Sequence, residues 1–400
     1  MMHNPDSVWR IATGGSSALD DPGRRFKVGL LALGIFHLVF FLAVRSRDII
    51  GIRGVLYADG SPVGGDFINL WSTARLIVLG RVSEIYPVAR FMAFQGTITG
   101  HAEIYLRQWA YPPHSLLLAW PLGLTAYYAA FAVWTLIGLL ILYAGARRFG
   151  FDRLEIAIIL TSPATILNIY FGQTGSFAAG LLLIALSVRS VRDPISIAAA
   201  ALLTVKPQSG FLIPVVWAFQ RRWQAIAWTA LAAAVLIGLA LAIFGLQPWK
   251  DYVGDSLVVL SALEREGTGP FMTMIPSTFM ALRILTGNSD FALMVHGIFA
   301  AAVAMVLGVR LWRVTDGTRQ AAMVLIATVL MTPYMHNYDL ALLLCGALLV
   351  GRRWYSTEMG PFRVPFLVIV AWALPHIVVG LNRVGAPISP LLILPLLFLA

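Results

Sequence analysis

The chain alternates apolar runs with short polar breaks over most of its length. The first run covers 28–44. A stretch of mixed polarity then extends from Arg45 to about Pro112. Further apolar runs lie near 125–146, 155–169, 175–188, 195–205, 209–220, 224–245, 290–312, 320–333, 338–350, 364–380 and 388–400. A helix needs roughly 20 apolar residues to cross the hydrocarbon of a bilayer. Several runs fall short of that, as membrane helices do where Pro or Gly interrupts them beside a cavity. The pattern predicts an all-α, polytopic transmembrane bundle of about 10–13 spans.

The long first loop is structured as well. Phe67, Leu70, Trp71, Ala74 and Val78 recur at helical spacing, and Gly80 supplies a stop. This predicts a helix lying at the interface, with Asp66 placed to cap its start. A second helix is predicted from Val88 to about Ile98. The Tyr111-Pro112-Pro113 sequence stiffens re-entry, because each proline fixes its φ angle, and residues 114–122 then read as a short half-helix.

Composition supports lipid as the solvent. Of 400 residues, 59% are hydrophobic and 12% charged, about half the charged share usual for a soluble domain. Mean hydropathy is +0.80. The net charge of +10 suits arginine-rich loops that set orientation and meet anionic headgroups; no nucleic-acid module is present. Arginines cluster in alternate short loops: Arg147, Arg148 and Arg153; Arg189 and Arg192; Arg221 and Arg222; Arg310, Arg313 and Arg319; Arg352, Arg353 and Arg363. The intervening short loops carry Lys206 and Arg383. The positive-inside rule therefore predicts a cytoplasmic N-terminus, with loops 45–112 and 247–275 outside. Residues 1–26 read as a disordered cytoplasmic tail, and 27–400 as one transmembrane domain. The first run lacks a signal-peptide cleavage site. Cys345, the single cysteine, reads as a small core residue.

Candidate chemistry gathers in the outer loops. A carboxylate at Asp66 can take a proton from an acceptor hydroxyl, or it can be a plain helix cap. Lys206 stands at a helix break before Pro207, where its ammonium can hold a lipid phosphate or snorkel to the headgroups. Asn168, Gly172 and Gln173 close another outer turn. His336, Asn337, Tyr338 and Asp339 form a polar knot that must line a cavity or pair internally. The acids of 247–275, namely Asp251, Asp255, Glu264 and Glu266, read as mostly solvated. Trp249, Tyr252 and Phe271 suit sugar stacking or a membrane-interface belt equally. There is no Walker lysine motif, no G-x-S-x-G elbow, no zinc-spaced Cys/His cluster and no DxD pair in the first loop. Neither a cofactor nor a metal site is expected.

These outer-face residues resemble glycosyltransferase family 87. Gly65-Asp66-Phe67 with Trp71, Ala74, Arg75, Gly80 and Tyr86 is similar to its first-loop signature. Trp109, Tyr111-Pro112-Pro113 and Pro121-Leu122 resemble the next block. Asn168 with Gly172-Gln173, Lys206-Pro207 with Arg222-Trp223, and Pro333-Tyr334 with Tyr338-Asp339 extend the likeness over roughly 60–350. The resemblance implies a GT-C-type fold in a bacterial inner membrane. It also implies inverting transfer of a hexose, typically mannose, from a polyprenyl-phosphate donor to a lipid or cell-envelope glycan on the outer face. Asp66 would be the general base. Lys206, Arg75, Tyr111, Asn168, Gln173, His336, Tyr338 and Asp339 would bind substrate, and the partners would be membrane lipids, donor and acceptor. A multi-pass transporter or lipid flippase is the alternative, and a non-catalytic assembly partner a third. The lack of a clear internal repeat and the one-sided polar groups favour the enzyme.

Overall fold

The computed structural model describes residues 21–100, 108–190, 192–355 and 363–400. It is all-α among these residues, with isolated bridges only at Arg53–Leu56 and Leu56–Pro62. The expected tail lies outside the described residues up to position 20, but its last part is already helical. The first helix runs Pro22–Ile50, well beyond the apolar run, because Asp21 caps Gly23 N–H and Pro22 opens the first turn.

The chain passes from end to end twelve times among the described residues. The passes are Pro22–Ile50, Tyr127–Phe149, 153–170, Gly175–Leu186, 194–205, 207–219, Trp223–Phe244, Ser289–Arg313, Gly317–Met331, Ala341–Tyr355, Arg363–Arg383 and Ser389–Leu399. Among the described residues five helices are long and apolar enough to cross a membrane. They ring the periphery and turn large apolar side chains outward, with Phe36 and Met305 each 68% exposed. Such a surface suits lipid. Gly317–Met331 and Ala341–Tyr355 run through the centre, where Leu325, Leu343 and Cys345 are fully buried.

The pass expected as one span over 155–169 is two half-helices, Arg153–Leu160 and Pro163–Tyr170. Ser162 caps the second, and Pro163 cannot continue the first. Gly175–Leu186 has only 12 residues, about 18 Å of helix. It presses on Tyr127–Phe149 so closely that a Cβ on Gly145 would stand 2.4 Å from the Gly180 carbonyl oxygen. Its upper end meets that longer helix near Trp134, whose indole N–H donates to the Gly172 carbonyl at 3.1 Å. Trp134 lies seven residues into its helix, about 10 Å down. The turn at Gly172–Gln173 is therefore recessed below the end of the bundle.

The arginine-bearing turns gather at one end of the bundle, and loops 51–66, 108–115, 172–174 and 332–339 at the other. Ion pairs brace the arginine end. Buried Glu155 meets Arg352 and lies 3.1 Å from Lys27, which also pairs with Asp152 at 2.5 Å. Arg148 pairs with Asp193. At the other end, Phe67–Val78 and Val88–Ile98 form as the periodicity predicts. The 247–275 stretch carries Gln247–Asp251, Leu257–Glu266 and Pro270–Thr273, followed by a helix the periodicity did not reveal, Thr278–Thr286.

Candidate active site

Two glycine turns, 107 residues apart, create the centre of the site. Gly64 and Gly65 both have positive φ, 75° and 54°, and Gly172 has φ 59°. A Cβ on Gly172 would lie 2.4 Å from the Gly64 carbonyl oxygen, and one on Gly65 3.0 Å from Phe171 Cα. Only glycine allows both the backbone conformation and the contact. The turns are joined by the Asp66 N–H, which donates to the Phe171 carbonyl at 2.9 Å. Asp66 and Gln173 are thereby brought together, and the Gln173 amide donates to Asp66 Oδ2.

Asp66 does stand at the start of Phe67–Val78, but its side chain makes no cap hydrogen bond to that helix. The plain-cap reading is corrected on this point. With φ −76° and ψ −1°, Asp66 is already helical, so its carboxylate projects away from the free N–H groups into a cavity.

That cavity has a volume of about 570 Å³, within the usual range for ligand sites. Asp66 and Asn69 line it from one helical face, with Gln108, Trp109 and Tyr111 from the loop before Pro112. Gln173, Lys206, Thr332, His336, Tyr338 and Asp339 line it from the bundle, and Leu257, Leu260, Leu263 and Glu264 from the loop helix. Of the nine sequence-predicted site residues, seven line this cavity: Asp66, Lys206, Tyr111, Gln173, His336, Tyr338 and Asp339.

Lys206 is held by the break between 194–205 and the short helix Pro207–Gly210. Its Nζ donates to Asp339 Oδ1 at 2.6 Å, and both side chains are nearly buried. Burial would lower the ammonium's pKa, but the adjacent Asp339 carboxylate more than reverses this and holds it above the ordinary lysine value. The internal pairing of Asp339 is therefore with Lys206 rather than an arginine. Tyr111 donates to or accepts from Thr174 Oγ1 at 2.9 Å. Burial raises its phenol, against the opposing pull of Lys206. His336 stacks on Tyr338, centroids 5.0 Å apart at 6°, with Phe271 edge-on at 5.2 Å. Burial lowers its pKa despite Asp339 nearby, which favours neutral imidazole.

Two expected site residues lie elsewhere. Arg75 is turned away from the cavity and donates to the Gly123 carbonyl at 3.2 Å. Gly123 is pressed against the Ala74–Arg75 backbone, which fixes the arginine there. Asn168 is buried behind the Gly172 turn. Its Oδ1 accepts from Ser176 N–H and from Ser176 Oγ at 2.9 Å, bracing the next helix. Trp249 stacks on His114, centroids 6.1 Å apart, whereas Tyr252 and Phe271 do reach the cavity.

Gln108, Asn69 and Glu264 were not singled out as site residues by the sequence. Glu264 was read as solvated, yet it is half-buried and burial raises its carboxyl to about 7. The spacing of Leu257, Leu260 and Leu263 was the available signal, since it puts Glu264 on an apolar face. Among the described residues no group of three His, Cys, Asp or Glu side chains converges to hold a metal.

A recessed polar cavity with a carboxylate and a buried cation, in a bundle with a lipid-suited surface, is the candidate site. The profile of glycosyltransferase family 87 matches residues 109–333, more than half of the chain, and the chain belongs to this family of membrane glycosyltransferases. The match covers Gln173 and Lys206, and stops short of Asp66 on one side and His336 on the other. No curated protein and no solved structure matches the chain.

Proposed function

We propose that the chain moves a hexose, typically mannose in this family, from a polyprenyl-phosphate donor to a lipid or cell-envelope glycan acceptor. The reaction runs on the outer face of a bacterial inner membrane, with the N-terminus cytoplasmic, as the arginine distribution favours. Asp66 accepts the proton of the acceptor hydroxyl as its oxygen attacks the anomeric carbon. The new carbon–oxygen bond forms on the face opposite the leaving group. The bond from the anomeric carbon to the phosphate oxygen breaks with its electron pair, and polyprenyl phosphate departs. The anomeric configuration inverts.

The observation that carries this reading is that Asp66 and Lys206 line one cavity. A base and a cation there address opposite ends of the reacting bond. The Lys206–Asp339 pair positions a positive charge near the departing phosphate, where partial exclusion of water strengthens it. No nucleoside triphosphate is needed, because the phosphate ester is already an activated leaving group. Arg75, held by Gly123, is left out of the phosphate site.

Asp66→Asn tests the assignment. The amide keeps the shape and can still pair with Gln173. With radiolabelled polyprenyl-phosphate hexose, transfer should fall by about 10²–10⁴-fold, the usual worth of a general base, while donor binding and folding survive. Turnover near that of the parent protein removes Asp66 from the role.

A further inference from the structure

Gln108 is 8% exposed and lines the cavity. Among the described residues neither its Oε1 nor its Nε2 has a hydrogen-bond partner. Buried amides are normally paired, so this one has hydrogen-bonding capacity left over at the cavity wall. Its chemistry, donors and an acceptor on one planar group, matches a hydroxyl, which also gives and takes.

Glu264 presents a second polar group to the same cavity. It follows Leu257, Leu260 and Leu263 on the face of Leu257–Glu266 that lines the cavity. The start of this helix is tied to the Gln108–Tyr111 loop, because Ser256 Oγ donates to the Trp109 carbonyl at 2.7 Å. Glu264 stands eight residues beyond Ser256, about 12 Å along the helix, so Gln108 and Glu264 address different ligand atoms. Burial raises the Glu264 carboxyl to about 7, and near neutrality a large share is protonated, able both to donate and to accept. An anionic phosphate could take only the donors of these two residues, would leave the Gln108 Oε1 without a partner and would be repelled by the ionised share of Glu264. The aromatic residues Trp109 and Tyr252 line the same cavity.

Resting on the transfer reading above, we propose that Gln108 and Glu264 form the subsite that binds the hydroxyls of an uncharged sugar ring, apart from the Lys206 end that takes phosphate. The ring belongs to the donor or to the acceptor, and binding separates the two.

The test uses purified full-length protein in lipid nanodiscs and three probes: an n-octyl hexopyranoside, polyprenyl phosphate and polyprenyl-phosphate hexose. In Gln108→Met and Glu264→Leu, octyl hexoside binding should weaken at least tenfold, with polyprenyl phosphate unchanged within twofold. Glu264→Gln should retain octyl hexoside binding and lose the decline that the parent protein shows as pH rises through 7. An equal loss for polyprenyl-phosphate hexose assigns the subsite to the donor's sugar; its retention assigns the acceptor's. Unchanged octyl hexoside binding in both disruptive variants, or equal weakening of polyprenyl phosphate, overturns the proposal. Failure of the parent protein to transfer label from polyprenyl-phosphate hexose counts against the transfer reading instead, since hexoside binding is scored without turnover.

Discussion

Lys206 and Asp339, 133 positions apart in the chain, meet at 2.6 Å in the cavity wall. The contact joins the break after 194–205 to the turn before Ala341–Tyr355. It holds a positive charge where a purely apolar wall would reject one, and it fixes the direction in which that charge is offered.

Breaking this pair from one side should cost stability. Asp339→Asn leaves a buried ammonium without its counter-charge, a change worth about 3–5 kcal/mol in buried pairs. Thermal unfolding in detergent should show a clear drop for Asp339→Asn and for Lys206→Met. The double variant Lys206→Met/Asp339→Leu should recover most of the stability and none of the transfer. Recovery of both would reduce the pair to a structural brace.

The Gly172 turn should be intolerant of any side chain. Alanine there must accept φ 59°, and its Cβ would strike the Gly64 carbonyl and Phe67 Cβ. Backbone strain of this kind costs about 1–3 kcal/mol. Because the displaced neighbour carries Asp66, Gly172→Ala should lower kcat more than tenfold with a modest change in melting temperature. A variant that melts normally and turns over normally contradicts the geometry.

Glu264 predicts a pH dependence of stability. Its carboxyl is raised from 4.5 to about 7 by burial, so the folded state favours the proton. That contribution is complete below about 4.5 and is lost as pH rises through 7. Between pH 5 and 8 the melting temperature of the parent protein should fall relative to Glu264→Gln, by a few degrees. Parallel melting curves across that range would place the carboxyl in water.

At the other end, Arg352→Met should strand buried Glu155, whose side chain is 1% exposed. Lys27, 3.1 Å away, compensates in part. Loss of about 3 kcal/mol is expected, read as a lower melting temperature. Transfer per folded molecule should remain intact, because the cluster lies across the bundle from the cavity.

Much of this architecture was legible in the chain. The runs that became Tyr127–Phe149 and Trp223–Phe244 announced themselves by length and apolarity, and the spacing from Phe67 to Val78 gave the loop helix almost to the residue. Lys206 and Asp339 stood out because charge beside a helix break is expensive in lipid. What stayed hidden depended on contacts between distant segments. The orientation of Arg75 is set by Gly123, and the aim of Asp66 by Phe171 and Gly172. Gln108 carries no periodic signal, and Glu264 sits in a polar stretch whose apolar face is visible only once its helix is folded against the loop. The break at Ser162–Pro163 divides a run whose hydropathy is continuous.

The recess at Gly172–Gln173 has an electrical consequence. Below it, Gly175–Leu186 supplies about 18 Å of helix, against the roughly 30 Å of hydrocarbon that ordinarily insulates one compartment from the other. The helix beneath the Asp66–Gln173 pair is thus shorter than that layer. Its sealing falls to Ala178, Ala179, Leu182 and Leu183, all buried. A charge introduced on that face should therefore raise ion conductance in sealed proteoliposomes.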